Sequence, residues 1–360
     1  MTEAGSLTSA PQLLVEKAIA RAGGWIPFDR FMALALYAPG LGYYANGSRK
    51  FGTMPSSGSD FATAPEMTPL FGATLAVQIA EALRFTGTGN VWEFGAGSGA
   101  LALQLLEALG DSVRSYTIVD LSGSLRGRQQ QALSKYGDTV RWVSELPDRF
   151  SGVVVGNEVL DAMPVKLLVR KAGTWYERGI AAGLAWIDRP TQLRPPIGIP
   201  GSHDYLTEIH PQAEAFIRTL ADRLERGAAF FIDYGFGEDE YYHEQRHMGT
   251  LMCHRGHRAD TDPLADVGCK DITAHVNFTG LALAAQEAGL ATLGYTSQAR
   301  FLMNCGLVER LAEAPLAERI AGQRLLAEHE MGELFKVIGL YKGEFWDARG
   351  FSDGDRTERL

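Results

Sequence analysis

The stretch VWEFGAGSGALALQLLEAL, residues 91–109, decides how this chain is read. An apolar strand runs into Gly95, Gly97 and Gly99, and Leu and Ala at helical spacing follow at once. Glycines at such a junction supply positive φ and carry no Cβ, so the main chain can press against a ligand at a helix N-terminus. Two nucleotide ligands suit that geometry. As Gly95-x-Gly97-x-x-Ala100 the turn meets the dinucleotide fingerprint, whose third position tolerates Ala.

As Glu93-x-Gly95-x-Gly97-x-Gly99 the same turn has the spacing of methyltransferases that use S-adenosylmethionine (SAM). Glu93 separates the two readings. A strand leading into a pyrophosphate site ends in apolar residues that only pack, whereas a carboxylate there suits a ligand with a sulfonium and an α-ammonium group. Asp120, closing SYTIVD, can accept hydrogen bonds from both ribose hydroxyls, and this fits NAD and SAM equally. Each acid also has a structural alternative: Asp120 as the N-cap of the next helix, Glu93 as a buried carboxylate with a basic partner. SEL, residues 144–146, is a candidate border for the adenine.

Outward from the turn, strand signals near 90–94, 115–120, 139–143, 152–156 and 228–233 alternate with helical spacing at 100–109, 124–136 and 204–226. That alternation predicts a doubly wound α/β sheet of mainly parallel strands. Residues 11–37 read as helices around Gly23-Gly24, 47–66 as a long Gly/Ser/Pro loop, and 67–83 as an amphipathic helix. KLLVRKAGTWYERGIAAGLAWID, residues 166–188, reads as an antiparallel insertion after the fourth strand. A polar, irregular segment from 235 to 270 follows the fifth, then helical patterns at 277–289 and 306–329 and a closing strand at 335–343. The domain reading is therefore 1–88 as helices and a cofactor-covering loop, 89–165 with 227–345 as the core, 166–226 as insertion and connecting helix, and 346–360 as a tail.

In GVVVGNEVLDAMPVKLL, residues 152–168, an apolar strand ends in Asn157-Glu158, with Asp161 three residues on. Ligands of open α/β sheets bind beyond the carboxyl ends of the strands, which places these residues beside the same site. An ordinary capped turn is the alternative.

Composition narrows the class. The 360 residues carry a formal charge of −9, which argues against a phosphate-gripping nucleic-acid surface and for a cationic partner. Cys253, Cys269 and Cys305 are odd in number and without CxxC spacing, so a disulfide framework or a cysteine zinc site is not expected. No apolar run reaches the roughly 20 residues of a bilayer span, and no import or secretion signal is visible, so a cytoplasmic protein is expected. HEQRH, residues 243–247, matches the zinc-protease spacing HExxH, but it lacks an apolar helical face and Gly249 follows directly. It and the set His247, Cys253, His254 and His257 read as loop residues, with no metal expected.

Taken together, FMALALYAPGLGYY, SDFATAPEMTPLFG, VWEFGAGSG, GNEVLDAMPV, FFIDYG and DITAHVNF resemble, in order and over about residues 25–343, the MidA family of SAM-dependent methyltransferases. Mitochondrial members of that family are complex I assembly factors that dimethylate an arginine of a partner subunit. The resemblance implies a class I methyltransferase (Rossmann-like) fold with an N-terminal helical region and insertions after strands 4 and 5. It implies SAM as cofactor, held by Glu93, Gly95, Gly97, Gly99, Asp120 and Asn157, with Thr63, Pro65 and Glu66 on a covering loop. Glu158 and Asp161 would face an acceptor arginine, Asp233 and Tyr234 would narrow its channel, and His275 is a candidate proton acceptor. A protein substrate is implied, a respiratory-complex subunit among the candidates, with symmetric dimethylation as the family's outcome. GTLMCHRGHRADTDPLADVGC departs from the family pattern, so the substrate is not carried over. A catalytically idle assembly factor and an NAD-dependent oxidoreductase remain the alternatives, and oligomeric state is left open.

Overall fold

The computed structural model describes residues 9–46, 63–120 and 123–360, and the chain divides into two compact units. The first gathers Met1–Ser48, Ala162–Gln212 and Tyr242–Ala274. Its helices Ala10–Arg21 and Phe28–Tyr37 flank a short strand, Trp25–Pro27. That strand joins an antiparallel sheet with Lys166–Lys171, Thr174–Ala181, Ala185–Pro190 and Tyr205–Ile209. The insertion after the fourth core strand is thus antiparallel, as its Gly-punctuated alternation predicts. Helical spacing from residue 204 misleads, because Tyr205–Ile209 pairs with Lys166–Lys171 and the helix begins only at Pro211. The polar segment after the fifth strand is more ordered than its composition implies: Met252–Arg255 pairs with Arg258–Asp260 and Asp271–Thr273. HEQRH itself is turn rather than helix, so its two histidines do not share a helical face.

The second unit carries the sheet expected around the glycine turn. Its longer strands are β1 (Asn90–Phe94), β2 (Ser115–Val119), β3 (Val140–Val143), β4 (Phe150–Asn157), β5 (Leu224–Phe236), β6 (Ala291–Ser297) and β7 (Phe335–Lys342). Spatially they run β3-β2-β1-β4-β5-β7-β6, parallel except where β7 lies antiparallel between β5 and β6. The first five follow the doubly wound order, while the reversed strand beyond β5 departs from the all-parallel 3-2-1-4-5-6 of dinucleotide folds. The sheet's core side is built from Val91, Tyr116, Ile118, Val153, Val155, Phe230, Ile232 and Val337, packed with Phe71, Leu75, Ile79 and Leu105 of helices Leu70–Thr86 and Ala100–Leu109. The helical pattern at 306–329 is two helices, Leu307–Glu313 and Leu316–Leu326, because Pro315 lacks the N–H to continue the first. The last fifteen residues join this unit, and Trp346 and Phe351 are buried in its core.

Register brings the chemistry to one edge. Phe94 is level with Val119 on one side and with Gly156 on the other, and Ile232 is level with Asn157. Gly95, Asp120 and Glu158 therefore emerge within about one residue of each other at the carboxyl ends of β1, β2 and β4, and Asp233, inside β5, stands level with Glu158. The strand order reverses at β1, the topological switch point where such sheets take ligands.

Candidate active site

All three glycines of the turn adopt left-handed φ: 64° at Gly95, 53° at Gly97 and 89° at Gly99. Gly99 is the N-cap of helix Ala100–Leu109, so the positive end of that helix lies at the turn, with the Ala100 N–H held by Ser98 Oγ at 3.3 Å. A Cβ on Gly95 would stand 2.8 Å from Val159 Cγ2, so only glycine allows the turn after β4 to approach the turn after β1 this closely.

Glu93 lies one layer beneath the turn. In β1 it shares the face of Val91, opposite Trp92, and so projects among the core residues; it is 1% exposed. Tyr116 Oη donates to its carboxylate at 2.8 Å. Burial, opposed by that hydrogen bond and aided by the charge of Asp120, pushes Glu93 up to about 8. The same burial, with Glu93 beside it, drives Tyr116 well above the ordinary tyrosine value.

Asp120 follows β2, and its N–H bonds to Val143 O at 3.1 Å. Its Oδ2 accepts from Gln129 Nε2 at 2.9 Å, and that same nitrogen donates to Gly97 O at 3.0 Å. The segment expected to cover the cofactor is described only from Thr63 onward; most of the 47–66 loop lies outside the described residues. Thr63 precedes a one-turn helix, Ala64–Met67, without capping it through its side chain. Pro65 is buried, and its carbonyl accepts from Gln104 Nε2 at 2.8 Å. Glu66 makes the link to the glycine turn, accepting a short hydrogen bond from Ser98 Oγ.

The turn after β4 is the most constrained part of the edge. Glu158 has φ 54°, a conformation that costs a non-glycine residue on the order of 1–3 kcal/mol. Its N–H donates to Ile232 O at 2.9 Å, and Asn157 Nδ2 donates to its Oε1 at 2.9 Å. The next three N–H groups, of Val159, Leu160 and Asp161, all converge on Asp233 Oδ2 at 3.1, 2.9 and 3.3 Å. Asp233, fully buried, therefore holds the turn from within instead of lining a channel. Burial and the charges of Asp161 and Glu158 raise it well above the usual carboxylate range, against the main-chain hydrogen bonds it accepts. Tyr234 Oη donates to Asp161 Oδ2, and the His275 ring packs edge-on to Tyr234 and stacked on Phe236, centroids 5.1 and 5.3 Å away.

The second unit alone thus brings together Glu93, Gly95, Gly97, Gly99, Asp120, Asn157, Glu158, Asp161 and His275. Among the described residues, Asn157 Oδ1 is buried without a donor, at the switch point where an ammonium or hydroxyl would supply one. Sequence reading missed Gln129, whose partners are far along the chain, and the inward direction of Asp233. Both contacts are tertiary, and no local pattern announces them. No group of three or more potential metal ligands occurs among the described residues, nor does any of their helices have the length and apolarity to cross a membrane.

This geometry agrees with what the chain matches. Residues 74–296 fit the family described as "Putative S-adenosyl-L-methionine-dependent methyltransferase". The chain belongs to this family. SAM is its cofactor, and the left-handed glycines, the helix start and the unpartnered Asn157 oxygen fit such a ligand. A Burkholderia thailandensis protein crystallised with S-adenosyl-homocysteine is 50% identical, with a TM-score of 0.93 over 98% of this chain and 96% of that one. The mitochondrial protein arginine methyltransferase NDUFAF7 homolog of Caenorhabditis elegans is 26% identical, covering 92% of this chain and 85% of its own. The Mus musculus protein arginine methyltransferase NDUFAF7 is 25% identical, with 88% and 81% covered.

The buried acids give two measurable consequences. Between pH 4.5 and about 8 the unfolded chain releases the Glu93 proton that the ligand-free fold retains, so stability present below 4.5 is lost as pH rises through that window. Chemical denaturation across it should show a decline that Glu93→Gln flattens by on the order of a few kcal/mol; an unchanged profile in the variant would refute the protonated carboxyl. Asp233→Ala strands the N–H groups of residues 159–161 and should cost about 3 kcal/mol or more, read as a lower denaturant midpoint at unchanged m-value.

Proposed function

We propose that this protein transfers methyl groups from SAM to an arginine side chain of a partner protein. The observation that carries the reading is the packing, within one unit, of a carboxylate-bearing turn, Glu158 to Asp161, against the glycine turn through Val159 and Gly95. Two acids beside a methyl donor suit a planar cation better than a hydroxyl or carboxylate acceptor. The net charge of −9 and the arginine methyltransferases among the relatives support the same choice.

The cofactor's part is to present an electrophilic methyl on sulfur. Gly95, Gly97 and Gly99 would receive its amino-acid end, Asp120 its ribose hydroxyls, and Asn157 Oδ1 would accept from its ammonium group. Guanidinium, with pKa above about 12 and a delocalised lone pair, is a poor nucleophile until it is oriented and deprotonated. Glu158 grips the fork by bidentate hydrogen bonds and localises charge on the nitrogens that do not react. Methyl transfer to the attacking nitrogen, with S-adenosyl-homocysteine leaving, would release a proton that Glu158 or Asp161, or water that they hold, accepts. His275 can relay that proton onward. Asp233 keeps the turn in place, so the strain at Glu158 serves alignment.

The test uses purified protein, methyl-labelled SAM and proteins from cells lacking this enzyme, respiratory-complex subunits among them, with mass spectrometry of the labelled fraction. Label is expected on arginine as one or two methyl units, and Glu158→Gln should lower the rate by about 10²-fold or more while S-adenosyl-homocysteine still binds. Label confined to small-molecule amines or to other side chains would overturn the arginine assignment. Heat of binding with NAD and none with SAM would overturn the site.

A further inference from the structure

Gln129, on the helix Gly123–Ala132, is wholly buried, and its side-chain amide has a partner on each of three elements of the cofactor edge. Nε2 donates to Gly97 O in the glycine turn and to Asp120 Oδ2 at the end of β2. Oε1 accepts from Trp142 Nε1, in β3, at 2.9 Å. The amide's orientation is fixed by chemistry: an indole N–H can only donate and a carbonyl can only accept, so oxygen faces Trp142 and nitrogen faces Gly97 and Asp120. Both amide hydrogens are then committed. Neither leucine, with no polar atoms, nor glutamate, with no donor when ionised, can replace the set. The helix also lies close, since a Cβ on Gly99 would sit 3.5 Å from Gln129 Cα.

We propose that Gln129 is a positioning residue for SAM, setting the Asp120 carboxylate and the Gly97 turn at the mutual angle that the ribose and the amino-acid end of the cofactor require. It rests on the assignment of Asp120 to the ribose diol. Buried as it is, Gln129 acts through Asp120 and Gly97 and has no contact surface of its own for ligand. One Asp120 oxygen is held by the amide, and this fixes the plane in which the carboxylate meets two vicinal hydroxyls. Without the amide this hold on the carboxylate plane is lost, and selectivity for the diol weakens more than general affinity does.

Calorimetry with S-adenosyl-homocysteine and with its 2′,3′-dideoxy analogue separates this role from a merely structural one. The wild-type protein should prefer the diol-bearing ligand strongly. Gln129→Leu should weaken S-adenosyl-homocysteine by about tenfold, affect the dideoxy ligand less, and so compress the ratio of the two affinities. Asp120→Ala should abolish the ratio, and the double variant should show no further loss in it. Trp142→Phe, which frees one end of the amide, should compress the ratio partly and serves as the reading if Gln129→Leu fails to fold. A wild-type ratio in Gln129→Leu, or in Trp142→Phe should that variant alone fold, overturns the proposal. A preserved ratio in Asp120→Ala instead removes the ribose assignment beneath it.

Discussion

The chemistry at the carboxyl edge depends on how the turn after β4 is held. Four consecutive N–H groups, from Glu158 to Asp161, are committed inward, one to the Ile232 carbonyl and three to a single oxygen of Asp233. A tight turn with a left-handed glutamate is costly alone, and a carboxylate without donors is costly when buried. Each offsets part of the other's penalty. The turn can then lean on Gly95, where any side chain would collide with Val159.

Strand register does the rest. In a parallel sheet the carboxyl ends of neighbouring strands finish together, and levelling Phe94 with Val119 and Gly156 puts the residues that follow on one rim. The rim divides by chemistry. Toward β2 and β3 it offers the glycine turn and Asp120, tied together by Gln129, which suit the nucleoside end of a cofactor. Toward β4 and β5 it offers Asn157, Glu158 and Asp161, which suit cations. Methyl transfer needs little more than alignment across that division in a site sheltered from water.

Much of this was legible in the sequence, because the deciding signals are local. Gly95, Gly97 and Gly99 punctuate the junction of an apolar strand and a helix, and Asp120 and the pair Asn157-Glu158 close apolar runs. What escaped is what depends on distant partners. Helical spacing from 204 could not reveal that Tyr205–Ile209 would be drawn into a sheet by Lys166–Lys171. The ExGxGxG spacing marked Glu93 but not its depth: counting in twos from Val91 places it among the core residues, where it meets Tyr116 and not open crevice. Asp233 reads as one more acid at a strand end until its main-chain partners are seen. Gln129 lies in a polar, weakly patterned helix that gives no hint of its burial.

The central claim is that one edge of this sheet brings a methyl donor to a pair of carboxylates. A crystal structure with S-adenosyl-homocysteine bound tests it most directly. The ribose hydroxyls should rest on Asp120, the amino-acid end over the glycine turn, and the sulfur should point toward Glu158 and Asp161. Ligand lodged elsewhere, or a sulfur turned away from the Glu158 turn with no carboxylate near the path of the methyl group, would contradict it.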